Sequence, residues 1–103
     1  MGDVIAEIAA EHRRQIEVEG WTTEHDDTHT AGELASAAAC YALAATFPIA
    51  ATTTFTRYWP WSRKWWKPKD RRHDLIRAAA LIVAEIERLD RALATPPADG
   101  GPR

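Results

Sequence analysis

Apolar residues recur at helical spacing in three stretches of the chain. In the first, over residues 4–19, Ile5, Ile8, Ala9, His12 and Ile16 share a face, Asp3 stands as N-cap and Gly20 as stop. In the second, over 31–45, Leu34, Ala38, Tyr41, Ala42 and Ala45 share a face, and Thr30 with Glu33 spells a T-x-x-E capping box. The third is the clearest. Leu75, Ala79, Ile82, Ile86, Leu89 and Leu93 follow one another at spacings of 4, 3, 4, 3 and 4. Pro68 precedes this stripe, Asp70 is placed to cap it, and Pro96 and Pro97 end it near Ala94. The pattern predicts an all-α fold: one small helical bundle over residues 1–94, followed by a flexible tail at 95–103.

Between the second and third helices lies a long stretch with no convincing periodicity. A connection of that length in a compact domain is either functional or ordered by its own side chains. Phe47, Phe55, Tyr58, Trp59, Trp61, Trp65 and Trp66 supply the packing material. Alanine-rich faces make a thin core for one chain, so the heptad-like stripe predicts a bundle completed by a second copy, most simply a homodimer.

Composition narrows the classes. The single cysteine excludes an internal disulfide, and Cys40, set in an alanine run, reads as a small buried thiol. The start, MGDVIAEI, lacks the basic and apolar regions of a secretory signal, so a cytoplasmic location is expected. Residues 34–56 carry no charge, but Ala and Thr dominate them and Pro48 interrupts them. They read as a buried helix and a loop, with no membrane partner.

The net charge of −2 conceals a strong asymmetry. Residues 1–33 hold nine acids against two bases, whereas residues 57–77 hold eight bases against two acids. One concentrated basic segment points to a local anionic partner. Within it, Trp65, Trp66, Lys67, Lys69, Arg71 and Arg72 alternate cations with large aromatic faces and lead into a helix N-terminus. Helix N–H groups and Arg forks suit phosphate oxygens, and Trp offers a stacking surface for a base. Those are the parts of a nucleotide site, with phosphates at the start of the third helix. The bland alternative is that the tryptophans pack a loop while Lys and Arg stay in water.

Two further features compete for a role. Glu24, His25, Asp26, Asp27 and His29 precede the second helix, a spacing open to three readings: loop ordering, ligand contact or a transition metal. In the first helix, Glu11 can pair with Arg14 and Arg13 with Glu17 on a solvated face. Trp21, His25 and Arg14 join the candidate ligand contacts.

Ala10, Glu11, Arg13 and Gln15, then Gly20-Trp21, Gly32-Glu33-Leu34-Ala35, and Asp74-Leu75 opening a helix that ends Glu87-Arg88-Leu89-Asp90-Arg91, resemble the small MazG-like, all-α nucleotide pyrophosphatases. The similarity covers residues 5–45 and 70–92. It implies Mg²⁺ held by E-x-x-E on one helix and E-x-x-D on the next. Here Glu33 and Asp74 match one acid of each pair, while Thr30 and Arg71 stand at the other positions. An Arg beside two carboxylates disfavours the cation and favours bare phosphate. EGWTTEHDD, AAACYAL and WPW…WWKP are also similar to short proteins encoded in bacteriophages and prophages.

The expectation is a non-catalytic binder of a nucleotide or cyclic nucleotide, without cofactor. In a phage setting, inside the bacterial host cell, it would act as a sponge sequestering a nucleotide messenger of immunity. One alternative is a Mg²⁺-dependent nucleoside triphosphate pyrophosphohydrolase using Glu33 and Asp74. A second is a module binding single-stranded nucleic acid or protein.

Overall fold

The computed structural model describes residues 3–46 and 57–94. All regular structure among these residues is helical: α1 (Val4–Glu17), α2 (Thr23–Asp26), α3 (Glu33–Ala44) and α4 (Arg71–Ala94), with a 3₁₀ turn at Arg63–Trp65 before α4. The expectations for Phe47, Pro48, Phe55 and the 95–103 tail lie outside the described residues. Among the described residues, no helix is long and apolar enough to cross a membrane.

Local chemistry sets the helix ends. Asp3 Oδ1 accepts the Ile5 and Ala6 N–H groups and starts α1. At the other end Gly20 turns the chain with φ +78°, where a side chain would be strained. The Trp21 N–H then returns to the Gln15 carbonyl at 2.9 Å, folding the tryptophan over the helix end. For α4, Asp70 Oδ1 accepts the His73 N–H at 2.8 Å, the expected cap. The capping box of α3 is corrected. Gly32, at φ +82°, is the N-cap and makes no side-chain cap, and Glu33 Oε1 takes the Ala31 N–H instead.

The core lies between α3 and α4, which run antiparallel: Tyr41, late in α3, meets Arg77, early in α4. Leu34, Ala37, Ala38, Tyr41, Ala78, Leu81 and Ala84 form it. So small a set buries little apolar area, and the shortfall is met by indole rings. Trp21, Trp59, Trp61 and Trp66 pack against this cluster, each ring carrying roughly 150–250 Å². Tyr41 touches both Trp59 and Trp66, and Trp61 touches Trp59 and Trp21, so the rings form one continuous array.

Helix α1 lies along α4 in the same sense, with Glu7 bound to Arg72 early and His12 to Glu87 late. Its expected apolar face is corrected in part. Ile8, His12 and Ile16 are half-buried, but Ile5 is 74 % exposed and Ala9 is exposed, whereas Gln15 is buried at 2 %. The expected solvated face is corrected too: the Glu11 side chain is 11 % exposed and carries a bidentate bond from Arg14. No Arg13–Glu17 pair forms among the described residues.

The stripe on α4 is not in this core. Leu75, Ile82, Ile86 and Leu89 are about half exposed and Leu93 is almost wholly so. At about 100° per residue, the stripe is centred roughly 120° from the face packed on α3. Helix α4 therefore has three apolar faces, of which α3 and α1 cover two.

Candidate functional site

A cavity of about 440 Å³ opens where the end of α1, the α2 turn and the Trp-rich connection meet. Its size falls within the range of small-molecule pockets. Trp21, Trp61 and Trp65 wall it, and His25, Asp26, His29 and Glu19 supply its polar groups. Thr22 creates this arrangement by accepting the His25 N–H and starting the single turn of α2. That turn brings the His25 and His29 rings edge to face at 4.9 Å, with His29 against Trp61 at 5.2 Å. Burial, then the neighbouring His25, lowers the pKa of His29.

Among the described residues, four polar side chains are buried. Gln15 donates to Glu11, Asp74 accepts the Lys69 N–H at 2.8 Å, and Arg88 forks onto Glu85 at 2.8 and 2.9 Å. Asp26 is 3 % exposed and lines the cavity. Burial pushes its pKa up to about 6, against the fields of Arg91, His12 and His25. Of these, Arg91 bonds Asp27 at 2.8 Å, and His12 bonds Glu87 at 2.9 Å through Nε2 while its Nδ1 is buried without a hydrogen bond. Burying a carboxylate is costly, and here it lines a cavity.

No protein-family model, curated protein or solved structure matches the chain. The geometry therefore stands alone.

The candidate contacts divide. Trp21, His25 and Trp65 come together in the cavity wall. The Nζ atoms of Lys64 and Lys67 lie 5.7 and 5.5 Å from the Trp65 ring, and Lys67 also reaches Glu19 at 3.6 Å. Trp66 is instead packed on Tyr41 at 4.7 Å, within the core array. Arg14 and Arg72 line a second cleft of about 260 Å³ and are held by carboxylates there. Glu11 raises the pKa of Arg14, and Arg72 binds Glu7 at 2.6 and 2.7 Å. Lys69 and Arg71 are exposed and line neither space.

The start of α4 does not offer its N–H groups to an anion as expected. Asp70 already accepts from His73, and its charge sits at that end. Glu33 and Asp74 are also apart. Glu33 opens α3 in the field of Glu85 and Arg88, whereas Asp74 stands at the opposite end of the antiparallel pair. Among the described residues, no group of three His, Cys, Asp or Glu side chains is clustered for a metal. Sequence reasoning missed Glu19 and Trp61 as lining residues. It grouped Asp26 with Asp27 because nothing in the string separates a buried aspartate from its exposed neighbour.

Proposed function

We propose that this chain is a non-catalytic binder of a nucleotide-like ligand, acting as a homodimer. The aromatic cavity carries this reading: three indole walls suit a planar base, and Lys64 and Lys67 stand at the Trp65 rim to take phosphate oxygens. The phosphate position thus moves from Arg71 and Arg72 to these lysines. Separation of Glu33 from Asp74 weighs for binding and against the pyrophosphohydrolase alternative. The biological form of the proposal, a phage-encoded sponge for a nucleotide messenger of immunity, is supported by the resemblance to phage proteins.

The test is thermal denaturation and calorimetry with mono-, di- and cyclic nucleotides in the presence of EDTA. A bound nucleotide raises the melting temperature and is recovered intact. Trp65→Ala weakens binding at least about fivefold, the lower end for loss of a stacking partner. Lys64→Ala with Lys67→Ala weakens it further and flattens its salt dependence. Failure of every nucleotide class to shift melting, or Mg²⁺-dependent release of pyrophosphate, overturns the proposal.

A further inference from the structure

The lining of the cavity has a charge as well as a shape. Trp21, Trp61 and Trp65 wall it together with the acids Glu19 and Asp26, and among the described residues no lysine or arginine lines it. Burial and the neighbouring His25 disfavour the protonated form of His29, so that ring adds no cation at neutral pH. Cations near the lining are bonded to acids: Arg14 meets Glu19 at 3.2 Å, Lys67 meets it at 3.6 Å, and Arg91 bonds Asp27 at 2.8 Å. Trp21 and Trp61 form a corner of the wall, their ring centroids 5.6 Å apart and their planes at 49°. The negative face of an indole attracts a cation, and more strongly where water is excluded. Aromatic walls joined to carboxylates are therefore complementary to positive charge, and a cleft lined by one sign of charge focuses the field. The same lining repels a phosphate, which stays at the rim with Lys64 and Lys67.

We infer that the cavity selects a nucleotide whose ring is itself positively charged, as a pyridinium or an N-alkylated purine is, over one with a neutral base. The inference rests on the nucleotide reading above and narrows it to a ligand class. The flat ring enters the indole-walled space, and the anionic phosphate remains outside at the lysines. Such a ligand is positive at one end and negative at the other, and the site is ordered the opposite way, from carboxylate to lysine. A neutral base gains stacking alone. A cationic ring gains in addition the attraction of the π faces and of the carboxylates. Asp26 is a specificity-determining residue here through its charge, and needs no hydrogen bond to the ring.

The experiment is calorimetry on the full chain at pH 7.5 with oxidised and reduced nicotinamide mononucleotide, AMP, GMP and tetramethylammonium. The two nicotinamide nucleotides share one phosphate and nearly one shape, and differ by a hydride and so in ring charge. The oxidised, cationic form should bind on the order of tenfold more tightly than the reduced form. Asp26→Asn keeps the shape and removes the charge, so it should cut that preference by roughly two- to fivefold while the circular dichroism is unchanged. Comparison of the two forms needs no variant, so the inference stays testable if Asp26→Asn misfolds. Equal affinity for the two forms, or a preference unchanged in Asp26→Asn, overturns it. Tetramethylammonium binding as tightly as the oxidised nucleotide also overturns it, since an alkylammonium group alone would then suffice. If AMP or GMP binds and the oxidised form has no advantage over the reduced one, the proposed function stands and only this inference falls. No binding by any nucleotide removes both.

Discussion

Asp26 also makes a prediction about the empty protein. Its pKa rises from an ordinary 3.8 to about 6 on folding, so between those values the folded chain holds more protons than the unfolded one. Its contribution therefore lowers stability as pH rises from 4 to 6, and the penalty is complete above that window. The groups facing it are Arg91, His12, His25 and Asp27, with Glu19 and His29 across the cavity. Asp26→Asn removes the penalty. Melting of the empty variant at pH 7.5 should exceed that of the parent by the equivalent of about 1–3 kcal/mol, and the gain should vanish near pH 4. An equal gain at both pH values would show that packing, and not charge, is responsible. Glu11 is the counter-example among the acids. Burial pushes it up, but hydrogen bonds from Arg14 and Gln15 outweigh burial and hold it below its ordinary value.

At the scale of elements, two leucines of α4 separate its faces. Leu81 is fully buried against α3, and Leu93 is 87 % exposed. Leu81→Ala should cost about 2–5 kcal/mol in denaturant unfolding, the range for a buried leucine. Leu93→Ala should cost the isolated fold less than about 0.5 kcal/mol. Asp70→Ala removes the cap at His73 and should cost about 1 kcal/mol. The bounds of α4 were legible in the string because Asp70 and the prolines are local signals that tertiary contacts do not override. The same holds for the turn at Gly20. The face of α1 was legible only in part, because much of what it buries is polar: Gln15 donates to Glu11, and Glu11 accepts from Arg14, with Arg77 arriving from α4. A hydropathy pattern cannot register a polar side chain whose partner lies sixty residues away. The cavity was half legible for a similar reason. Trp21, His25 and Trp65 stood out by type, but only the fold shows that Trp66 is spent on Tyr41 while its neighbour Trp65 faces the opening.

At the scale of the molecule, the uncovered face of α4 argues for a second copy. The stripe is symmetric about position 84. In an antiparallel pair related by a two-fold axis there, Leu75 meets the partner's Leu93, Ala79 the partner's Leu89, and Ile82 the partner's Ile86. Each stripe position then finds an apolar partner, with the small alanine opposite a leucine, as a self-complementary interface requires. Covering a half-exposed Leu or Ile contributes roughly 1 kcal/mol, so the two stripes together supply on the order of 10 kcal/mol. Rigid-body association costs at least about 4 kcal/mol, which leaves micromolar to weaker affinity from the stripe alone and tighter binding if neighbouring side chains join. Light scattering should therefore show a mass that rises with concentration from that of the 11.5 kDa chain toward twice that value, passing midway at roughly tens of micromolar. Ile82→Glu with Ile86→Glu sets four like charges together at the axis and should return the single-chain mass. Both positions are about half exposed in the single chain, so its helical circular dichroism should persist. Nucleotide affinity should also persist, because the cavity residues lie on α2, its flanking connections, the first turn of α3 and the Trp-rich connection, and not on the stripe. A parent protein that scatters as a single chain would mean that α4 carries its stripe for another purpose.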